Sequence, residues 1–391
     1  MSPTSLYFHI PFCRQRCYYC DFNTYAGMEQ WISGYTVALC AEIGQVAGQA
    51  GDRLEVHTFF FGGGTPSLLG IPQLEAILQT VRQNFTLLEN LEGSLEANPG
   101  TVTPEYLKEL RRLGINRLSL GMQSANPEEL RLMGRIHDTP DVIQAVKWAR
   151  QAGFNNINLD LIFGLPFQTM EQWQNSVELA LKLNPEHLSL YALTVEEGTP
   201  FFQWTQRGLI PVPDDDLAAE FYEWASDRLD RAGFFQYEIS NWARKNSAGI
   251  LLACQHNLQY WRTLPYLGFG AGAHGFASRL RTANAAAIPE YISLCEDKKV
   301  DRFPIGPAAV EVREIDRQTE MQETMMVGLR LVNEGVSAQQ FRDRFGETID
   351  AVFGKQIQKL TGQGLLEEAA GRIRLTKYGR LLGNRVFMEF V

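Results

Sequence analysis

Residues 5–20 read SLYFHIPFCRQRCYYC, and this stretch sets the frame for the rest of the chain. Its first part, 5–10, is rich in aromatic and apolar residues, as a buried strand is. Immediately after it come Cys13, Cys17 and Cys20, three thiols within eight residues. A strand that runs directly into a loop of reactive side chains is the arrangement of parallel α/β folds, whose sites are built at the C-terminal ends of strands.

Working outward, the same unit recurs. Strands are expected at 5–10, 56–61, 94–97, 117–120, 156–162 and 187–190. Amphipathic helices fall between them at 71–84, 104–113, 140–151 and 170–183. Thr103 and Pro104 form a helix-start pair, N-cap then Pro at the first helical position, with Glu105 in the first turn. Strand followed by helix, repeated six times, implies parallel strands joined by right-handed crossovers. Six units fall short of the eight that close a barrel, so the fold expected is an α/β, open partial (β/α)6 barrel. After residue 194 the pattern loosens, with a helix expected over 217–232 and a strand over 235–239. Three regions follow: a barrel over 1–240 that carries the site, a connecting segment over 241–312, and a smaller, mostly helical unit over 313–391. Short β-like runs around 375–379 give this last unit a winged-helix-like character.

Composition narrows the function. The chain has 391 residues and a formal net charge of −9, which argues against nucleic acid held by a general basic surface. No apolar run has the roughly 18 to 20 residues of a membrane span, and the N-terminus lacks the features of a secretory signal. Six cysteines in so long a chain are too few for a disulfide scaffold, so a reducing, cytoplasmic setting is expected. Cys40, Cys254 and Cys295 stand alone and read as small apolar residues.

The unusual residues collect at strand ends. After the cysteine loop come Gly62-Gly63-Gly64-Thr65-Pro66, Glu96-Ala97-Asn98-Pro99, Gly121-Met122-Gln123-Ser124, Asp160 with Gly164-Leu165-Pro166, and Tyr191-Ala192-Leu193-Thr194. Three thiolates at spacings of four and three residues suit one compact metal centre. Zinc sites usually bring two CxxC-like halves, and no second half is evident; His9 lies on the strand and makes a poor fourth ligand. A cubane cluster has four irons, and three cysteines would leave one iron open. The bland alternative is three buried free thiols. For Glu96, Gln123 and Asp160 it is structural hydrogen bonding at strand ends.

The Cx3Cx2C spacing, with aromatic Tyr19 between the last two cysteines, resembles the radical S-adenosylmethionine (SAM) superfamily. The run Tyr7-Phe8-His9-Ile10-Pro11-Phe12-Cys13, the GGGTP loop, Glu-Ala-Asn-Pro, Gly-Met-Gln-Ser and Asp-Leu-Ile-Phe-Gly-Leu-Pro resemble, in order, the oxygen-independent coproporphyrinogen III oxidase family. The resemblance implies a [4Fe-4S] cluster on Cys13, Cys17 and Cys20. It also implies SAM contacts from Tyr7, Tyr19, Gly63, Gly64, Thr65, Glu96, Gln123, Arg135 and Asp160.

Three departures point to the family's heme chaperone branch. The oxidase has a fourth cysteine two residues after the triplet, and here that position is Phe22. Cys13 lies too near Met1 for the oxidase's N-terminal extension. Residues His256-Asn257-Leu258-Gln259-Tyr260-Trp261 match the branch's HNxxYW motif. An imidazole can ligate heme iron while aromatic rings contact the porphyrin, so His256, Asn257, Tyr260 and Trp261 are the heme-binding residues expected. The bland reading is a capped turn in which His256 only hydrogen-bonds. His274, beyond the flexible run Gly268, Gly270 and Gly272, is the second candidate ligand. The function expected is heme binding and transfer to an acceptor protein, with no catalytic residue assigned. A one-electron donor protein would be a further partner of any radical chemistry. The alternatives are oxidative decarboxylation of coproporphyrinogen III to protoporphyrinogen IX, and a structural cluster protein without SAM chemistry.

Overall fold

The computed structural model describes residues 3–391. Six parallel strands form its centre: β1 (Thr4–Ile10), β2 (Glu55–Gly63), β3 (Thr86–Ala97), β4 (Arg117–Gln123), β5 (Ile157–Phe163) and β6 (His187–Ala192). The crossovers carry α1 (Ile32–Gly48), α2 (Ile71–Asn84), α3 (Pro104–Leu113), α4 (Pro127–Leu132), α5 (Thr139–Gln151) and α6 (Met170–Lys182). Helices α7 (Pro200–Gln206) and α8 (Asp215–Arg231) follow β6.

Local chemistry explains the helix starts. Thr103 accepts the amide of Tyr106 with Pro104 at the first helical position, as the sequence led us to expect. Asp138 with Asp141, and Thr169 with Gln172, form reciprocal capping boxes that start α5 and α6. Each helix lays an apolar face on the sheet; Leu74, Ile77, Leu78 and Val81 of α2 are all buried. Phe8, Phe59, Phe61 and Trp173 fill the core between sheet and helices. Burying each such side chain stabilises the fold by roughly 1.5–3 kcal/mol before chain entropy is counted.

The sheet is wider than the six expected strands. β7 (Phe235–Glu238) and β8 (Asn241–Ala243) add to one side antiparallel. On the other side stand β9 (Tyr266–Phe269), β10 (His274–Ala277), β11 (Leu280–Asn284) and β12 (Ala309–Glu314). The order is β12-β11-β10-β9-β1-β2-β3-β4-β5-β6-β8-β7, twelve strands with two free ends, so the barrel is open. Helix α9 (Gln255–Trp261) and α10 (Ile288–Asp297) lie in this later stretch.

The C-terminal unit has its own core, including Met325, Phe341, Phe353, Leu375 and Phe390. It holds α11 (Arg317–Gly328), α12 (Ala338–Phe345) and α13 (Ile349–Gly362). Beside these lies a three-stranded sheet of β13 (Val336–Ser337), β14 (Leu366–Ala369) and β15 (Arg372–Leu375), the helix-plus-hairpin pattern of a winged helix. The β-like run expected near 375–379 ends at Leu375, and Thr376 caps a short helix over Lys377–Leu381 instead. Arg330 to Glu238 at 3.2 Å and Arg262 to Glu334 at 2.7 Å fasten this unit to the barrel. No helix of the described residues is long and apolar enough to cross a membrane.

Candidate functional site

The cysteine loop leaves β1 and is pinned at both ends. Phe12–Cys13 pairs in parallel with Tyr25–Ala26. The amides of Gly64 and Thr65 donate to the carbonyls of Ile10 and Phe12, both at 2.8 Å, and lock the glycine loop onto the start of the cysteine loop. His9 Nε2 meets the Asn23 carbonyl at 2.8 Å, and Asn23 Nδ2 donates to Ala271 and Ala286.

Two glycines are sterically required in this clasp. Gly63 has φ of +108°, and a Cβ there would lie 2.6 Å from the His9 ring. A Cβ on Gly64 would lie 2.7 Å from the Phe12 carbonyl oxygen.

Cys13, Cys17 and Cys20 are free thiols lining one cavity of about 410 Å³. The Thr65 hydroxyl donates to Cys13 Sγ at 3.6 Å, and the Arg135 guanidinium donates to Cys17 Sγ at 3.5 Å. Cys20 Sγ lies 3.8 Å from the Thr24 hydroxyl. Around the same space stand Tyr19, Gly63, Gly64, Thr65, Glu96, Gln123, Arg135 and Asp160. Of the residues expected at the cofactor, Tyr7 alone does not line it. Its hydroxyl bonds His9 Nδ1 at 3.1 Å, and its ring stacks beside Phe60. Phe22, 63% exposed, and Tyr191 form an apolar part of the wall.

Burial, then the neighbouring Asp160, pushes the Glu96 carboxyl up to about 8, against a partial pull from the Gly63 amide. Burial also raises Asp160, partly offset by hydrogen bonds from Ser119 and Asn158. Gln123 sits at φ +64°, a left-handed conformation a non-glycine residue keeps only when its surroundings hold it.

Among the described residues, no three His, Cys, Asp or Glu side chains are grouped to share one metal ion. The three sulfurs line a space instead, and their donor chemistry fits a multi-iron cluster, with one thiolate available for each of three irons.

The HNxxYW segment lies elsewhere. It forms α9, packed under the N-terminal half of β2, away from the glycine loop at that strand's other end. His256 is 1% exposed, with Nδ1 2.8 Å from the Thr58 hydroxyl and Nε2 2.8 Å from the Tyr260 hydroxyl. Thr58 donates its own hydrogen to Ser5, so Nδ1 must be the protonated nitrogen and Nε2 accepts from Tyr260. The expected imidazole free to ligate iron is therefore not present in this conformation: its one lone pair is taken. Trp261 is half-buried under the Arg330 guanidinium, 4.4 Å from its ring centroid. The Asn257 backbone bonds the Cys254 thiol. Of the six histidines in the chain, His274 is the one classed as exposed.

Sequence reading passed over Ser119 and Asn158, which hold Asp160 through hydrogen bonds of 2.8 Å each. The signal was available: Asn158 is two residues before Asp160 on one strand, hence on the same face.

Residues 7–180 match the model of the radical SAM superfamily, and residues 315–382 match that of the HemN C-terminal domain. The chain is 38% identical to the heme chaperone HemW of Bacillus subtilis, over 99% of each chain. It is 35% identical to the heme chaperone HemW of Escherichia coli, over 100% of this chain and 99% of the relative. Among solved structures it is similar to the coproporphyrinogen III oxidase HemN of Escherichia coli. The TM-score is 0.82 at 25% identity, covering 99% of this chain and 90% of that one.

Proposed function

We infer the function of this chain from the family to which it belongs, that of the heme chaperone HemW within the radical SAM superfamily. It is a heme chaperone that binds heme and passes it to an acceptor protein, with a [4Fe-4S] cluster and SAM in the barrel cavity. The observation that carries the cofactor part is the convergence on one cavity of three free thiols, a glycine-lined backbone rim and two carboxyl groups. Cys13, Cys17 and Cys20 would hold the cluster. Tyr19, Gly63, Gly64, Thr65, Glu96, Gln123, Arg135 and Asp160 would hold SAM, with Tyr7 supporting from behind Gly62. A cluster held there would supply one-electron reduction of the SAM sulfonium, with the electron from the donor protein. Arg135 and Thr65 direct hydrogen-bond donors at two of the sulfurs.

Heme needs an axial ligand or an apolar bed. Since the His256 lone pair is engaged, His274 is the imidazole open to a ligand at the surface. The acceptor protein and a one-electron donor protein are partners this reading calls for, and the cytoplasm is the setting that suits uncrosslinked cysteines.

The oxidase alternative draws its support from the SAM motifs and the HemN likeness. Phe22 in place of a fourth cysteine, and full-length relatives that carry the name heme chaperone, favour the chaperone.

The test is an anaerobic heme titration of the cluster-reconstituted chain, followed in the Soret band, then mixing with an apo-hemoprotein. One heme bound per chain and its subsequent loss to the acceptor is the expected result. His274→Ala should weaken binding and change the spectrum, whereas His256→Ala should leave the ligand spectrum in place. No saturable heme binding would remove the reading.

A further inference from the structure

A continuous column of buried polar groups runs through the barrel, from the cavity to the HNxxYW helix. At the cavity, Asp160 accepts from Ser119 through Oδ2 and from Asn158 Nδ2 through Oδ1, each at 2.8 Å. The other end of the Asn158 amide, Oδ1, faces His187 Nδ1 at 2.7 Å. A carbonyl oxygen only accepts, so His187 carries its hydrogen on Nδ1. Its Nε2 then accepts from the Tyr237 hydroxyl at 2.9 Å. The Tyr237 oxygen in turn receives the Cys254 amide at 3.3 Å. Cys254 Sγ lies 3.6 Å from Glu92 Oε1, and that same oxygen accepts the His256 amide at 3.2 Å. The column ends at that backbone amide; the His256 imidazole bonds Thr58 and Tyr260 instead.

From Asp160 to Tyr237 each donor and acceptor is fixed by its neighbour, so Asn158, His187 and Tyr237 cannot rotate alone without stranding a buried partner. Arg117, 2% exposed, supplies the positive charge: burial works against it, and the nearby Glu92 and Asp160 carboxyl groups offset that cost. A polar interior of this kind is costly compared with an apolar one of the same shape. Its two ends are the Asp160 carboxyl in the cofactor cavity and the motif that sequence reading assigned to heme.

We propose that His187 and Tyr237 are positioning residues for Asp160, fixing through Asn158 the carboxyl that faces SAM. The HNxxYW helix meets this column through the Cys254 amide at its N-terminal end. This inference rests on the reading that SAM occupies the cavity.

The test measures SAM binding to the anaerobically reconstituted full chain by calorimetry, beside thermal unfolding. His187→Leu and Tyr237→Phe break the column. His187→Asn keeps a donor for Asn158. Leu188→Ala removes packing next to His187 without touching the column. The column predicts SAM affinity reduced about three- to tenfold in His187→Leu and Tyr237→Phe, the smaller loss at Tyr237 because it acts on Asp160 through both His187 and Asn158. His187→Asn should recover most of the affinity, and Leu188→Ala should lower the Tm while leaving SAM affinity intact. Unchanged affinity in both column variants overturns the proposal, as does a loss that tracks Tm equally in Leu188→Ala. Failure of the parent protein to bind SAM would instead remove the cofactor reading itself.

Discussion

The Glu96 carboxylate accepts the amide hydrogen of Gly63 at 3.1 Å, joining the acidic end of β3 to the glycine loop of β2 across the cavity wall. This bond pulls the Glu96 carboxyl downward, but burial and Asp160 outweigh it, and the group titrates at about 8. Near neutral pH it is therefore mostly protonated in the ligand-free protein.

A cationic ligand group at Glu96 would need the ionised form, so SAM binding should release a proton. SAM affinity is expected to rise by roughly twentyfold between pH 6.5 and pH 8.5, then level off. Glu96→Gln should weaken binding and flatten that rise. A pH-independent affinity in the parent protein would place Glu96 outside the binding step.

Gly63→Ala should be poorly tolerated. Its φ of +108° lies outside the comfortable range of an L side chain, and the new methyl would meet the His9 ring at 2.6 Å. The cost is on the order of 1–3 kcal/mol for the backbone alone. The loop should shift, and cluster content per chain should fall. Iron and sulfide analysis after reconstitution checks this, and full cluster loading in Gly63→Ala would contradict it.

A second carboxyl, outside the cavity, gives a stability prediction. Glu42 on α1 is fully buried and accepts from Gly270 N at 2.9 Å, Asn284 Nδ2 at 2.7 Å and Tyr291 Oη at 2.7 Å. Burial pushes it up to about 7, against those three donors. The folded protein therefore holds a proton that the unfolded chain gives up near the ordinary carboxylate pKa. Between those two pH values the native state binds more protons, so this group's contribution falls as pH rises. The fall begins near pH 4.5, is largely complete above pH 7, and is worth roughly 3 kcal/mol. Denaturant titrations at a series of pH values should show the decline, and Glu42→Gln should flatten it while lowering stability at pH 5. Equal slopes in the parent and the variant would contradict this assignment.

Much of the architecture was legible because strand ends announce themselves. Aromatic and β-branched runs marked the central strands, and Cys, Gly, Glu, Gln and Asp gathered at one end of each. What escaped has physical reasons. The stretch of β3 over 89–92 carries Glu89, Asn90 and Glu92 and reads as polar, yet Glu92 is buried as a partner of the His256 amide. Strands β9 to β11 are short and interrupted by Gly268, Gly270 and Gly272, so they read as a flexible connection. The HNxxYW spacing says that His256 and Tyr260 share a helix face, four residues apart, but not which way that face turns. It turns inward, where Thr58 and Tyr260 claim both ring nitrogens.

The central claim is that this barrel uses its cofactors in heme handling and does not turn over a porphyrinogen. The direct measurement supplies the reconstituted protein, its cluster verified, with SAM, a one-electron reductant and coproporphyrinogen III under anaerobic conditions. In parallel, the heme-loaded protein is mixed with an apo-hemoprotein. The account predicts heme transfer in the second experiment and no multiple-turnover protoporphyrinogen IX in the first. Sustained formation of protoporphyrinogen IX over many turnovers would contradict it and make the chain an oxidase despite Phe22.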